Sequence, residues 1–306
     1  MLDIYGETDV NECLKLWEHF VPRENLTDLW DVRACFLREF NREPFFVVAR
    51  EKDRPVGLLP LSYIPEQDYY GYFPGEVWQG KTWLEQNRVI VPDGTTLEVM
   101  LRWLAGEKKK YALRYLVRDE KLVPGMEHVD EIGYVFRPKD FGYSMDNYYS
   151  MFSGKSLKKI MREVSGLYDR GVVIRKDEAA DFEIMVRMNT DRFGERSYFA
   201  DSRFQAGFRT LRDYLLERGM LKMTTVMVEG RPAAVDMGCV YNGVYTLLGG
   251  GTEAGYPGIA KLINLHHMET SCAEKYAHAD FLCGDFSWKK LFHLTEKPLY
   301  EVKNLE

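Results

Sequence analysis

The feature that most constrains the fold of this chain is a pattern written twice. Pro44-Phe45-Phe46-Val47-Val48-Ala49-Arg50 is a β-type run, followed by the polar turn Glu51-Lys52-Asp53-Arg54-Pro55 and a second apolar run from Val56 to Ile64. Met220 to Val228, the turn Glu229-Gly230-Arg231-Pro232 and Ala233 to Tyr241 repeat the pattern. Two apolar, β-branched runs around a tight polar turn predict a hairpin. Each hairpin follows two amphipathic helical stretches. Ahead of the first, Asp9 caps a helix with Cys13, Leu14, Leu16, Trp17 and Phe20 on its apolar face, and Asp31 to Phe40 reads as the next. Ahead of the second stand Phe182 to Phe193 and Phe204 to Arg218. A helix pair leading to a hairpin, twice at domain spacing, predicts a duplicated unit, with one mixed domain as the alternative. The chain has 306 residues, room for two ordinary domains or one large one. The division is placed near residue 142, giving 1–142 and 143–306.

Other elements follow from local patterning. Tyr69 to Trp78 mixes aromatics with Gly and Pro and reads as a loop; Leu97 to Ala105 reads as a helix and Tyr111 to Val117 as a strand. Gly133 to Tyr143 is extended and turn-like. Ser153 to Gly171 is the clearest helix: Leu157, Ile160, Met161, Val164, Leu167 and Tyr168 share one face, and Lys155, Lys158, Lys159 and Arg162 the opposite one. Val172 to Ile174 is a strand. Asn242-Gly243 is a strong hairpin signal ahead of a strand from Val244 to Leu248. Ile259 to Glu274 reads as a helix, and Ala279 to Cys283 as a short final strand.

Charge and cysteine usage exclude several classes. A net charge of −6 gives no global attraction for nucleic acid. The five cysteines, Cys13, Cys35, Cys239, Cys272 and Cys283, are scattered and form no CxxC pair, so neither a zinc site nor a disulfide framework is signalled. No apolar stretch approaches a membrane span, and the N-terminus has no basic start with an apolar run. A cytoplasmic protein without membrane association is expected, with no metal and no tightly bound cofactor.

Four segments are candidates for chemistry. The Gly-rich run from Leu248 through Gly249-Gly250-Gly251 to Gly255-Tyr256-Pro257-Gly258-Ile259-Ala260-Lys261 joins a strand to a helix. Free backbone N–H groups and a helix N-terminus there suit a pyrophosphate or carboxylate, and Lys261 adds a positive charge. The competing reading is an ordinary turn, since neither GxxxxGK[ST] nor GxGxxG spacing occurs. Asp236, amid apolar residues in mid-strand, is a candidate general base, against the reading of a solvated or ion-paired side chain. His266 and His267 have no partner at metal spacing and read as ordinary helix residues. Lys289, among the aromatics of Phe286-Ser287-Trp288-Lys289-Lys290-Leu291-Phe292, is a candidate for neutralising an oxyanion or phosphate, against a snorkelling lysine. The basic stripe of Lys155, Lys158, Lys159 and Arg162 lies opposite the apolar face, where solvated charges belong.

Taken together, Ser156-Leu157-Lys158-Lys159-Ile160-Met161-Arg162-Glu163, the hairpin Val228-Glu229-Gly230-Arg231-Pro232-Ala233-Ala234, Tyr256-Pro257-Gly258 before a helix, and Asp280-Phe281 with Gly284-Asp285 and Trp288-Lys289 resemble the FemAB-like branch of the GNAT acyl-CoA N-acyltransferase superfamily. The likeness extends to acyltransferase-like domains of bacterial polysaccharide biosynthesis proteins. It covers residues 150 to 292 well, and the first half through Pro44 to Leu61. The resemblance implies an α/β (α+β) fold of tandem GNAT-like domains, each a mixed, mostly antiparallel sheet flanked by helices. The first is then degenerate and structural, and the second carries the site. It implies transfer of an acyl group from acyl-CoA to a small-molecule or peptide amine acceptor, with CoA or acetyl-CoA as co-substrate. Gly255, Gly258, Ile259, Ala260 and Lys261 fall where the family's pyrophosphate loop stands, although the leading Arg or Gln of that signature is absent. Aminoacyl transfer from aminoacyl-tRNA is the alternative the resemblance offers, with Lys289 matching the lysine near the reacting carbonyl. A non-catalytic binding protein on the same fold is the third class.

Overall fold

The computed structural model describes residues 2–119, 122, 128–284 and 287–305. Two compact units are present, the first made of residues 1–132 with 298–306 and the second of residues 133–297.

In the first unit β1 (Leu2–Glu7) leads to α1 (Val10–Phe20) and α2 (Trp30–Phe40). Asp9 accepts hydrogen bonds from the N–H groups of Asn11 and Glu12, and this cap starts α1. The hairpin of β2 (Pro44–Glu51) and β3 (Arg54–Ile64) turns at Lys52-Asp53, both with positive φ. Then come β4 (Tyr69–Tyr72), a small hairpin of β5 (Val77–Trp78) and β6 (Lys81–Thr82), α3 (Gly94–Gly106) and β7 (Tyr111–Leu116). The segment from Tyr69 to Trp78, expected as a loop, therefore holds two strands. Tyr69 to Tyr72 pair with Leu61 to Ile64, and cross-strand contacts outweigh the turn signal of the neighbouring Gly and Pro.

The second unit receives the end of β8 (His128–Phe136). It continues through α4 (Met145–Tyr149), α5 (Gly154–Tyr168), β9 (Val172–Lys176), α6 (Asp181–Phe193) and α7 (Ser202–Glu217). There follow β10 (Leu221–Val228), β11 (Arg231–Tyr241), β12 (Val244–Thr252), α8 (Ile259–Ala273), β13 (His278–Cys283) and α9 (Ser287–Leu291). The last strand, β14 (Thr295–Asn304), pairs with β7 in the first unit, Val302 opposite Leu113 and Asn304 opposite Tyr111. The expected second domain ran to residue 306. The terminal strand instead belongs to the first unit, because Leu299 and Val302 bury their side chains there. Its Pro298 and four charged residues had hidden it from pattern reading.

The strands of the two units are ordered alike. Those of the first run β1-β2-β3-β4-β7-β14 and those of the second β9-β10-β11-β12-β13-β8. In each, three antiparallel pairings are followed by one parallel and one antiparallel pairing. Two helices join the first strand to the second, and one helix joins the fourth to the fifth. Even the hairpin irregularities coincide: an extra residue enters two positions after the shared Arg, at Val56 in one and Ala233 in the other. The duplicated architecture and its mostly antiparallel sheets are as the sequence predicts.

Candidate functional site

The polar centre of the second unit lies on the face of its sheet that α8 covers. Cross-strand register builds it as a row: Lys176 of β9 stands opposite Thr224 of β10, Thr224 opposite Asp236 of β11, and Asp236 opposite Gly250 of β12. Directly opposed residues share a face. Asp236 is buried, and its Oδ2 lies 2.9 Å from His267 Nε2 of α8. An ionised carboxylate can only accept, so Nε2 is the donor in this pair, and in a neutral imidazole that arrangement leaves the lone pair on Nδ1. The Tyr245 ring stacks on His267, centroids 5.0 Å apart, with its hydroxyl 3.4 Å from Nε2. Burial first, then the charge of Asp236, pushes the Tyr245 phenol well above its ordinary range, so it stays neutral.

Two glycines make room for this cluster. A Cβ at Gly238 would lie 2.5 Å from the Tyr245 hydroxyl oxygen, and one at Gly250 would overlap Asp236 Oδ1. The Gly-rich run was expected as a loop that holds phosphate. Gly249 to Gly251 are instead the end of β12, paired with Met237 to Val235. The strand persists because the ladder to β11 continues, and the missing side chains serve close approach. A Cβ at Gly251 would come 2.6 Å from the Met185 carbonyl oxygen of α6, while Gly250 leaves space for the carboxylate. Asn189 of α6 donates to the Gly250 carbonyl at 2.6 Å. On its other side β12 pairs in parallel with β13 only from Val244 to Thr246.

Beside His267 opens a cavity of about 170 Å³ whose lining includes Lys176, Lys222, Thr224, Tyr245, His266 and Glu274. His266 is held down to about 4, by burial first, then by His267 and the Lys176 ammonium, so its ring is neutral near pH 7.

The loop before α8 has another character. Gly258 is its N-cap with φ +89, and a Cβ there would meet Glu163 Cβ of α5 at 2.9 Å. Lys261 forms an ion pair with Glu163. Arg170 lies over the Tyr256 ring at 4.8 Å and pairs with Glu229. Gly255 has open space around it, Ile259 is buried and Ala260 exposed. The expected α8 N-terminus is thus present, with its lysine already paired. Lys289 of α9 is buried, and its Nζ donates to the carbonyls of Phe281 (3.0 Å), Leu282 (2.8 Å) and Cys283 (2.7 Å) at the end of β13. It is not among the residues lining the cavity beside His267. Lys155, Lys158, Lys159 and Arg162 are exposed, and so is Tyr168, which the periodicity had placed on the apolar face of α5.

Sequence reasoning singled out Asp236 and gave His267 no role. The missed signal was a stripe on α8: Asn264, His267 and Ser271 fall at helical spacing beside Ile263, Met268 and Cys272, and all six are buried. In the first unit the residue five places after the hairpin Arg, where Asp236 stands in the second, is Leu59, paired with Val47 instead of a threonine. Both are buried and apolar.

With this geometry in place, comparisons locate the chain among known proteins. Residues 154–290 match the family model described as an acetyltransferase (GNAT) domain. That match falls wholly within the second unit, residues 133–297. No curated protein matches the sequence. Among solved structures, FemX is similar in fold over 98% of this chain and 98% of its own, at 10% identity and a TM-score of 0.59. A conserved protein of unknown function from Bacteroides thetaiotaomicron matches over 98% and 99%, at 13% identity and a TM-score of 0.59. A tandem GNAT protein from the clavulanic acid biosynthesis pathway matches over 99% and 98%, at 11% identity and a TM-score of 0.53. The likeness of fold to FemX and to the tandem GNAT protein thus extends over 98–99% of the chain. Among the described residues no group of side chains suits a metal ion, and no helix is long and apolar enough to cross a membrane.

Proposed function

We propose that the second unit transfers an acyl group from acyl-CoA, acetyl-CoA in the simplest case, to an amine, with His267 as general base and Asp236 orienting it. The observation that carries this reading is the buried Asp236–His267 hydrogen bond beside a cavity in a GNAT-type domain. A thioester is already activated, so the protein must hold the amine near the carbonyl, take its proton and stabilise the oxyanion. The amine nitrogen bonds to the carbonyl carbon and the carbon–sulfur bond breaks. A proton of the neutral amine passes to Nδ1 of His267, and the imidazolium so formed gives that proton to the departing thiolate. Asp236 fixes the imidazole tautomer and stabilises the imidazolium that forms. The backbone of β12 past Thr246, where pairing to β13 ends, supplies N–H groups for the oxyanion.

The co-substrate's pyrophosphate sits at the α8 N-terminus, on Gly255, Gly258, Ile259 and Ala260, with the Lys261 charge behind it. His267 lies nine residues further along α8, or about 13 Å at 1.5 Å per residue, a span that an extended pantetheine arm covers. Lys289 acts on stability, by tying down the end of β13, and takes no part in the chemical step. The first unit, with Leu59 and Val47 in place of the polar pair, is structural. The protein works in the cytoplasm on a small-molecule or peptide amine.

The Glu163–Lys261 pair favours a second reading on the same site. A carboxylate beside the α8 N-terminus opposes a pyrophosphate, and an aminoacyl ester of tRNA is the donor that needs none there. Calorimetric titration with acetyl-CoA and CoA, with thiol release in the presence of amines, tests the first. Micromolar binding abolished by Gly255→Glu, with turnover lowered about 10²- to 10⁴-fold in His267→Gln at unchanged CoA affinity, is the expected result. Absence of binding at millimolar CoA shifts the donor to aminoacyl-tRNA. Turnover of His267→Gln within threefold of wild type removes the base assignment.

A further inference from the structure

The cross-strand row beside His267 has a charge pattern that general amine acylation does not require. Lys176 and Lys222 reach the cavity from neighbouring strands, β9 and β10. Lys222 lies two residues from Thr224, and Thr224 opposes Lys176, so all three project from the face that carries Asp236. Neither lysine forms an ion pair among the described residues. Arg170, Arg175, Arg203, Arg209 and Arg212 of the same unit are all paired. The rim also carries Asp177 and Glu274, so its formal charge is balanced while cations and carboxylates remain separate.

Resting on the acyl-transfer reading, we infer that the acceptor is a small zwitterion: a primary amine bearing one anionic group a few bonds away, as in an amino acid. The amine lies against His267. Its anionic group lies over Thr224 toward the Lys176 and Lys222 ammonium groups. Adjacent strands are about 4.8 Å apart, so Lys176 and Asp236 are separated by about 10 Å at their Cα atoms. A lysine side chain leaning along the sheet closes roughly half of that distance, leaving the charge separation of an α- or β-amino acid. The cavity of about 170 Å³ holds the volume of some five or six waters at about 30 Å³ each, which suits such a molecule and excludes a long peptide from its depth. The neutral His266 ring adds a hydrogen-bonding group without adding charge to the rim. A balanced rim suits a monoanionic carboxylate better than a dianionic phosphate.

The test compares acceptors at saturating acetyl-CoA: glycine and β-alanine, the amines ethylamine and ethanolamine, which lack an anionic group, and aminoethyl phosphate. kcat/KM for the amino acids should exceed that for the amines lacking an anionic group by about fivefold, the worth of a partly exposed charge pair. Lys176→Met with Lys222→Met should bring that ratio to about one while leaving the rate with ethylamine unchanged. Both lysines lie at the rim, and a thermal melt checks that the double variant is folded. Equal use of amines with and without an anionic group, or a ratio that survives the double substitution, overturns the inference and leaves acyl transfer standing. A preference for aminoethyl phosphate keeps the zwitterion and replaces carboxylate with phosphate. If no amine is acylated, the donor reading has failed on its own, and glycine binding followed by NMR at His266 and His267 decides instead. Saturable shifts lost in the double variant support the zwitterion site, and their absence at high millimolar glycine overturns it.

Discussion

Gly250→Ala tests the site through an atom that is not there. The backbone at Gly250 is ordinary strand, so alanine brings no conformational strain of its own. Its methyl would overlap Asp236 Oδ1 and lie 3.2 Å from Asp236 Cγ. Ordinary carbon contacts need about 3.5 Å or more, so the carboxylate must retreat by roughly 1 Å. That stretches its 2.9 Å hydrogen bond to His267 beyond useful range. Losing a hydrogen bond to a charged group costs about 1.5–3 kcal/mol, offset by about 0.5–1 kcal/mol for replacing glycine within a strand. The net loss is about 1–2 kcal/mol, a fall in melting temperature of a few degrees for a unit of this size. Turnover should suffer far more: an unoriented imidazole loses most of the general-base term, about 10²- to 10⁴-fold. Neighbouring glycines are internal controls. Gly255→Ala enters open space in the protein and should be neutral for stability. Gly251→Ala meets the α6 backbone and should destabilise by about 1–3 kcal/mol, with its effect on turnover following the folded fraction. Thiol release at saturating acetyl-CoA and thermal melts measure the series, and the His267 imidazole resonances in NMR report the hydrogen bond without any acceptor. Wild-type turnover and unshifted His267 resonances in Gly250→Ala would refute the account of why that glycine is there.

Three further outcomes follow from the same geometry. His266 is depressed to about 4 from 6.5, so the unfolded chain binds its proton first. Its contribution to stability is complete above about pH 6.5 and declines as the pH falls toward 4, by of order 1 kcal/mol once screening at the partly exposed ring is allowed for; denaturant titrations across that window should flatten in His266→Gln. Lys289→Met leaves the Phe281, Leu282 and Cys283 carbonyls without their shared donor and should cost about 2–4 kcal/mol, while turnover per folded molecule holds; a catalytic Lys289 would instead lose turnover at unchanged stability. Ending the chain at Lys297 removes Leu299 and Val302, worth about 1.5–3 kcal/mol each, and uncovers β7, so the first unit should become protease-sensitive; an unchanged digestion pattern would contradict the pairing of β14 with β7.

The duplication was legible because it is local. The Asp53-Arg54-Pro55 and Gly230-Arg231-Pro232 turns and the helix pairs ahead of them follow from residues within a few positions of one another. The same holds for the caps at Asp9 and Gly258, and for Asp236 as a carboxylate in an apolar strand. What local pattern could not supply was the partner of each group. A triple glycine signals freedom along the chain, and only pairing to β11 and packing of α6 turn Gly249 to Gly251 into strand. His267 looks like any helix histidine until α8 is laid across β11, because Asp236 is 31 residues away in sequence and 2.9 Å away in space. Lys289 was read as a charge for substrate, yet it spends its donors on three backbone carbonyls. Sequence by itself determined most of the elements and their repetition, since propensity, capping and periodicity act over a few residues. Tertiary structure alone decided which buried polar groups satisfy one another, because a buried charge takes the partner that folding brings within hydrogen-bond reach.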